Sequence, residues 1–172
     1  MKPLICSAII CTLIVAFSCK QPITSTLKYT TLNYDSTKVA IFSWDTTKYV
    51  FPPNSDPLPL TQSDLFILDS LLKDALDSFN IVRAPNFYLS FDKIAPVDSF
   101  TIDPTKYKTQ FFPYKDVNGQ RVVLVIGFND NFERWQTDVY EPRHNHYGIK
   151  MFELKINLSN TTREEVQTGS YG

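Results

Sequence analysis

Two histidines form the part of this chain that comes closest to a metal-binding pattern. His144 and His146 are the only histidines among the 172 residues, and one residue separates them. Side chains two apart on a strand point the same way, and two neutral imidazoles with a carboxylate from Glu141 or Asp138 can bind Zn²⁺. Arg143 directly precedes them in the sequence and opposes a cation there, and no second ligand pair occurs elsewhere. We therefore expect no bound metal and no other cofactor.

The histidines belong to a long predicted connection, residues 129–147, between two predicted strands. Long loops within compact domains are uncommon and often carry function. This one mixes aromatic and polar side chains, which suit a glycan, peptide or protein partner. The predicted partner or ligand surface consists of Phe132, Trp135, Tyr140, His144, His146 and Tyr147. The alternative is that Phe132 and Trp135 close the open end of the core.

No motif of a familiar enzyme class occurs in the sequence. It contains no Gly-x-Ser-x-Gly nucleophile motif, no His-Glu-x-x-His zinc motif and no glycine-rich nucleotide-binding loop. General acid–base catalysis usually requires a histidine or a pair of acids in such a context. We therefore expect a non-catalytic protein and assign no catalytic residue. The alternative is a small periplasmic or surface hydrolase, or a metal-binding protein, that uses the 129–147 loop.

The composition argues against a nucleic-acid partner. The chain has 17 Lys and Arg residues against 18 Asp and Glu residues, a formal net charge of −1. Nucleic-acid-binding domains are usually strongly basic on at least one face, so we expect no such partner. Hydrophobic residues make up 43% of the chain and charged residues 20%. That balance is typical of a folded globular domain and not of a disordered chain.

The amino terminus has the pattern of an export signal. An uncharged, apolar run over residues 4–17 would be about 21 Å long as a helix. A membrane-spanning helix must cross a hydrocarbon core of about 30 Å, so the run predicts a signal peptide and not a membrane span. The run ends in Ala16-Phe17-Ser18-Cys19, where a small residue directly precedes a cysteine.

This ending resembles the lipobox of bacterial lipoproteins. The resemblance implies that Cys19 receives a diacylglyceryl group, that a dedicated peptidase cuts directly before it, and that the new amino terminus is acylated with a fatty acid such as palmitate. Cys6 and Cys11 lie inside the signal, so Cys19 is the single thiol of the mature chain. Lipidation explains an exported cysteine without a disulfide partner. Because two or three acyl chains bind a membrane durably, we expect an anchored protein.

The residues after the cysteine indicate which membrane holds the protein and which segment links the anchor to the domain. Lys20 follows the cysteine, whereas lipoproteins kept in the inner membrane of many Gram-negative bacteria have Asp there. The resemblance therefore implies the cell envelope, and within it the outer membrane. We expect a signal peptide over residues 1–18, a Ser/Thr-rich tether over residues 19–37, and a single domain over residues 38–172.

One long amphipathic helix is the clearest local element. Thr61 and Asp64 have the spacing of a capping box, so the helix is predicted to begin at about Gln62. An apolar stripe at helical spacing follows, consisting of Leu65, Leu68, Leu72, Leu76 and Phe79. The helix is therefore predicted over residues 62–79, with this stripe packed on a sheet.

The remaining apolar segments predict an antiparallel meander. Asn118-Gly119 predicts a hairpin between residues 106–115 and 121–128. The second of these strands is apolar on both faces, so it is predicted to be central. Apolar residues alternate over residues 152–158, which predicts a strand with one buried face.

One strand pair and one further strand complete the sequence prediction. Residues 39–44 form an apolar run that is predicted to pair with residues 49–51 across a short turn. Beyond Pro85, apolar residues alternate over residues 87–91, which predicts a further strand. The predicted fold is α+β, with one long amphipathic helix packed on an antiparallel meander sheet of about four to six strands.

The arrangement also resembles small uncharacterised envelope lipoproteins of Gram-negative bacteria. In those proteins a helix that opens like residues 60–65 precedes a segment like residues 152–158, followed by a short tail. The resemblance supports the fold and implies no activity. We therefore expect a lipid-anchored cell-envelope protein that is a non-catalytic binding or assembly module, with an envelope protein or a glycan as its partner.

Overall fold

One helix packs against a mixed β-sheet, so the fold is α+β as predicted. A computed structural model describes residues 32–90, 100–141 and 148–169, except for the side chains of residues 87–90. The helix and strands are β1 (Val39–Ile41), β2 (Asp56–Pro57), α1 (Gln62–Ser90), β3 (Lys108–Lys115), β4 (Arg121–Phe128), β5 (Met151–Asn157), β6 (Thr162–Arg163) and β7 (Gln167–Thr168). The strand order is β1-β3-β4-β5-β6, while β2 also pairs with β3 and β7 with β5.

The β3–β4 hairpin is the centre of the sheet, and its turn is the predicted one. Asp116 accepts hydrogen bonds at its carboxylate from the backbone N–H groups of Asn118 (2.9 Å) and Gln120 (2.8 Å). Gly119 has a φ of 74°, a left-handed conformation that glycine adopts without strain. Strand β4 lies between β3 and β5 and is buried along almost its whole length, which confirms its predicted central position.

Helix α1 begins where the capping box predicts. The carboxylate of Asp64 accepts hydrogen bonds from the N–H and the hydroxyl of Thr61, both at 2.8 Å, and from Arg121 at 2.5 Å. The prediction of its end is wrong, because the helix continues through Pro85 to Ser90. In this part of the chain Asn80 holds the helix against Ile102 by two hydrogen bonds of 2.7 and 2.9 Å.

The strand predicted over residues 87–91 is therefore wrong for residues 87–90, which are helical. A short run of alternating apolar residues does not distinguish a strand from a helix, and here the preceding helix extends into it. No helix in the described ranges combines the length and the apolar character that a membrane span requires.

The first strand corrects the expectation of a purely antiparallel sheet. β1 pairs with β3 in the parallel direction, and it does not pair with residues 49–51, which form no strand. Backbone hydrogen bonds from Thr109 to Lys38 (2.8 Å) and from Phe42 to Phe111 (2.9 Å) flank the pairing. Residues 32–37, assigned above to the tether, also contact the domain, since Asn33 and the side chain of Gln62 exchange two hydrogen bonds.

The sheet separates two hydrophobic cores. The first, which we call the helix-side core, lies between α1 and the sheet and includes Leu65, Leu68, Leu76, Phe79, Val123, Val125, Phe152, Leu154 and Ile156. The second, which we call the aromatic core, lies on the opposite face and includes Phe42, Val50, Phe51, Phe112, Tyr114, Leu124, Ile126, Phe128, Trp135 and Tyr140. Alternate residues of β4 belong to the two cores, as expected for a strand buried on both faces.

Candidate functional site

The predicted partner surface is only partly within the described residues. The connection between β4 and β5 is described over residues 129–141, whereas His144, His146 and Tyr147 lie outside the described residues. The expectation that these two histidines bind no metal therefore stays a prediction. In residues 32–90, 100–141 and 148–169, no group of three or more His, Cys, Asp or Glu side chains is placed to hold a metal ion.

Two residues predicted to face a partner are buried instead. Trp135 is 6% exposed and Tyr140 is 4% exposed. The Tyr140 ring stacks on Phe128 with the two centroids 4.3 Å apart, and Trp135 meets the same ring edge-on at 6.4 Å. Their assignment to the partner surface is corrected: they cover the sheet face opposite α1, which is the alternative considered for Trp135. The physical reason is that, in the described part of the chain, irregular segments and not a helix cover this face, so loop aromatics exclude water from it.

Phe132 has an intermediate position. Its side chain is partly buried and packs against the aromatic core, with its ring 5.7 Å from that of Tyr140. The outer side of Phe132 lines an open groove. Of the three predicted surface aromatics that the structure describes, only Phe132 therefore both packs against the core and lines the groove.

Gln110 fixes the segment that carries these aromatics. This side chain lies in β3 and is completely buried. Its amide nitrogen donates to the backbone oxygens of Trp135 (2.5 Å) and Asp138 (2.7 Å), and its amide oxygen accepts from the N–H of Tyr140 (2.8 Å). Buried backbone groups in a loop need such partners because no neighbouring strand supplies them. The loop is therefore held in one conformation over residues 135–140.

A second rigid turn, residues 45–51, lies opposite this loop. The carboxylate of Asp45 accepts from the N–H (2.9 Å) and the hydroxyl (2.7 Å) of Thr47. Backbone hydrogen bonds then join Lys48 to Asp45 (3.0 Å) and Phe51 to Lys48 (3.1 Å). Val50 and Phe51 at the end of the turn are buried in the aromatic core.

Tyr49, directly before these buried residues, points into solvent. It is 65% exposed, although it is a large aromatic side chain on a segment that is otherwise well anchored. Exposure of one apolar residue is common on protein surfaces. The position of Tyr49 on the wall of a cavity, however, distinguishes it from an isolated surface residue.

We call this cavity the Tyr49 groove. It has a volume of about 570 Å³ and is open to solvent, and it is lined by Thr47, Lys48, Tyr49, Phe132, Arg134, Asp138, Val139 and Glu141. One wall belongs to the 45–51 turn and the other to the 132–141 loop. Arg134 and Asp138 form an ion pair at 2.9 Å on the second wall. Both walls rest on the aromatic core, so the groove has a preformed shape.

The groove carries both signs of charge. Lys48 and Arg134 contribute two positive charges, and Asp138 and Glu141 contribute two negative charges, so the lining has no net formal charge. Loss of hydration, followed by the nearby carboxylates of Glu141 and Glu153, raises the pKa of Tyr49 above its ordinary value. The phenol therefore stays protonated at neutral pH and can donate a hydrogen bond.

These groups can bind and orient a ligand. The lining offers an aromatic face, a guanidinium and two carboxylates, which orient a ligand by stacking and hydrogen bonds. In the described lining, Arg134 and Asp138 form a surface ion pair. Such a pair differs from the nucleophile and adjacent general base that covalent catalysis uses.

A second cavity of about 360 Å³ lies at the other end of the same sheet face, lined by Tyr114, Asp116, Val122, Lys155, Asn157, Thr162, Arg163 and Glu164. Several of its polar side chains already have internal partners. Arg163 binds the carboxylate of Asp74 and the hydroxyl of Ser78, both at 2.8 Å, and Asp116 holds the hairpin turn. The Tyr49 groove also contains one paired set, Arg134 with Asp138, but this second cavity is smaller and its tyrosine, Tyr114, is buried, so it is less suited to a ligand.

The sequence prediction located one wall of the groove and missed the other. Tyr49 was assigned to a strand, and Lys48 was given no role. A usable signal was present, because Asp45-Thr46-Thr47 has the composition of an Asx turn, and a turn there leaves the following residue at the surface.

Comparisons of the chain with protein-family models, with curated proteins and with solved structures give no match.

Proposed function

We propose that the protein is a lipid-anchored component of the cell envelope that binds a partner in the Tyr49 groove without catalysing a reaction. The observation that carries the proposal is the groove itself, in which an exposed tyrosine on one hydrogen-bonded turn shares the lining with a second hydrogen-bonded loop. A preformed site binds at a lower entropic cost than a flexible one. The polar lining provides orientation and the aromatic residues provide contact area.

The anchoring part of the proposal rests on the sequence around Cys19. Lipidation at this residue would attach the domain to the outer membrane through the chain between Cys19 and Leu32. A chain of that length reaches at most about 45 Å when fully extended. The groove would then meet partners that lie close to the membrane surface.

The groove is tested by site-specific photo-crosslinking in the native envelope. A photoreactive amino acid replaces Tyr49 in the full chain, and a matched variant carries it at Tyr34, which is 39% exposed and does not line the groove. The proposal predicts a discrete, saturable adduct from position 49 and none from position 34. Equal labelling at both positions, or none at position 49, contradicts a binding role for the groove.

The anchor is tested by intact-mass measurement of the native product. The expected species begins at Cys19 and carries the mass of a diacylglyceryl group with an additional acyl chain. An unmodified thiol, or an amino terminus beyond Cys19, contradicts the envelope location. The two measurements are independent, so the binding role and the location can fail separately.

A further inference from the structure

We infer that the Tyr49 groove recognises a neutral oligosaccharide, an inference that rests on the binding function proposed above. It is drawn from three features of the described residues: the presentation of the Tyr49 ring, the balance of charges around it, and the size of the depression.

The backbone that carries the Tyr49 ring is held in place, and the ring itself takes no part in the core. Val50 and Phe51, which follow it, are buried, and the turn before it is closed by Asp45 and Thr47. The backbone at Tyr49 is thus fixed from both sides, while 65% of the residue remains accessible. An accessible aromatic face on a hydrogen-bonded turn can serve as a stacking platform, and the apolar C–H face of a sugar ring is a ligand that such a platform fits.

The polar groups around the ring match hydroxyl groups better than they match a charged ligand. Lys48 and Arg134 are donors, whereas Asp138 and Glu141 are acceptors. A sugar hydroxyl both donates and accepts, so it can pair with either kind of group. An anionic or a cationic ligand would meet one favourable and one unfavourable pair of charges in the same groove. The protonated phenol of Tyr49 adds one more neutral donor.

The size of the groove favours a small ligand over a protein surface. Its volume of about 570 Å³ lies within the range of about 300–1,000 Å³ that is typical of small-ligand sites. A stable protein interface buries about 800 Å² on each partner around fully desolvated anchors. In the described lining, the aromatic residues are Tyr49, which is largely exposed, and Phe132, which is already packed against Tyr140.

The test titrates the purified full chain with maltohexaose, cellohexaose or hexa-N-acetylchitohexaose, and isothermal titration calorimetry measures the binding. We expect at least one of these neutral sugars to bind and Tyr49→Ala to weaken that binding at least tenfold. Tyr49→Trp should retain binding, because stacking needs an aromatic face and not the hydroxyl. Tyr34→Ala, at an exposed tyrosine outside the groove, should bind as the unmodified chain does.

Two results would overturn the inference: the absence of binding by all three sugars, or binding that Tyr49→Ala leaves unchanged. Its failure is distinguishable from failure of the proposed function. A protein adduct from the photoreactive residue at position 49, without sugar binding, would retain the groove as a binding site and replace the ligand class by a protein. Absence of both sugar binding and an adduct would reject the groove altogether.

Discussion

The two faces of the sheet are covered in different ways. On one face, α1 covers the helix-side core with a regular stripe of aliphatic side chains. On the other face, the aromatic core is covered by irregular segments, the 45–51 turn and the 132–141 loop. A helix satisfies its own backbone hydrogen bonds, whereas an irregular cover must obtain partners from side chains. The buried amide of Gln110 is such a partner.

The difference explains where the groove can form. A helix packed on a sheet leaves a nearly continuous surface, because its side chains interdigitate with those below. Two separate loops that meet over an aromatic core leave a gap between them, and the Tyr49 groove is that gap. Loops held by a rigid scaffold are also where binding residues usually lie. The irregular face is therefore the functional face in our proposal, and the helical face is the structural one.

The largest expected effect tests whether the loop aromatics are a true cover. Trp135→Ala should lower the free energy of unfolding by about 3–5 kcal/mol, as for other buried aromatics. Leu68→Ala on the opposite face should lower it by about 2–5 kcal/mol. Urea unfolding measures both. Hydrogen exchange should show loss of protection in residues 135–140 for the first variant only.

A loss below about 0.5 kcal/mol for Trp135→Ala would be the value of an ordinary surface residue. That result would return Trp135 to the partner surface and remove the contrast between the two faces. A loss of the expected size, with sugar binding also lost, would tie the groove to the aromatic core.

The next largest effect concerns the polar partner that an irregular cover needs. Gln110→Met has a similar size but leaves two backbone oxygens and one N–H of the loop without their partner. We expect a loss of about 2–4 kcal/mol in unfolding free energy, because unsatisfied buried groups are costly. The matched control is Gln136→Met, an exposed residue with one hydrogen bond to Ser36, which should change stability by at most about 0.5 kcal/mol. Equal effects at the two glutamines would contradict a special role for Gln110.

A smaller effect concerns the start of the regular cover. Burial of Asp64 opposes its ionisation, but hydrogen bonds from Thr61 and Arg121 outweigh this and lower its pKa below the ordinary value. A carboxyl whose pKa is lower in the folded state stabilises the fold above its unfolded-state pKa, and this contribution is lost as the pH falls through the folded-state pKa. Asp64→Asn should therefore cost about 1–3 kcal/mol at neutral pH.

The pH dependence sharpens that prediction. The difference in unfolding free energy between the unmodified chain and Asp64→Asn should be constant at neutral pH and shrink below about pH 4. Asp69→Asn, at an exposed position on the same helix, should change stability by at most about 0.5 kcal/mol. A difference for Asp64→Asn that persists unchanged at pH 2.5 would mean that its charge does not contribute.

The features that the sequence predicted correctly depend on residues close together in the chain. The hairpin follows from Asp116, Asn118 and Gly119, and the helix start follows from Thr61 and Asp64. Both rest on hydrogen bonds that span only two to four residues. The central position of β4 follows from its composition alone, since a strand that is apolar on both faces needs cover on both.

The features that the sequence did not predict depend on contacts between distant residues or on residue types that suit more than one environment. The parallel pairing of Val39 with Thr109 joins segments that no local pattern connects. The helix end was predicted too early because Pro85 and the alternating aromatics after it resemble a strand. Trp135 and Tyr140 suit a partner surface and a core equally well by type. Only their burial and their ring contacts with Phe128, edge-on for Trp135 and stacked for Tyr140, place them in the core.

The smallest expected effect on stability is at Tyr49, which lines the groove without covering the aromatic core. Tyr49→Ala should change the free energy of unfolding by no more than about 0.5 kcal/mol, because the ring is largely exposed while Val50 and Phe51 beside it are buried. Phe51→Ala, two residues away, should lose about 3–5 kcal/mol as a buried aromatic. Urea unfolding of the two variants therefore compares an outward and an inward aromatic on one turn. A loss of several kcal/mol at Tyr49 would show that its ring covers the aromatic core, and the groove would then have no free stacking face.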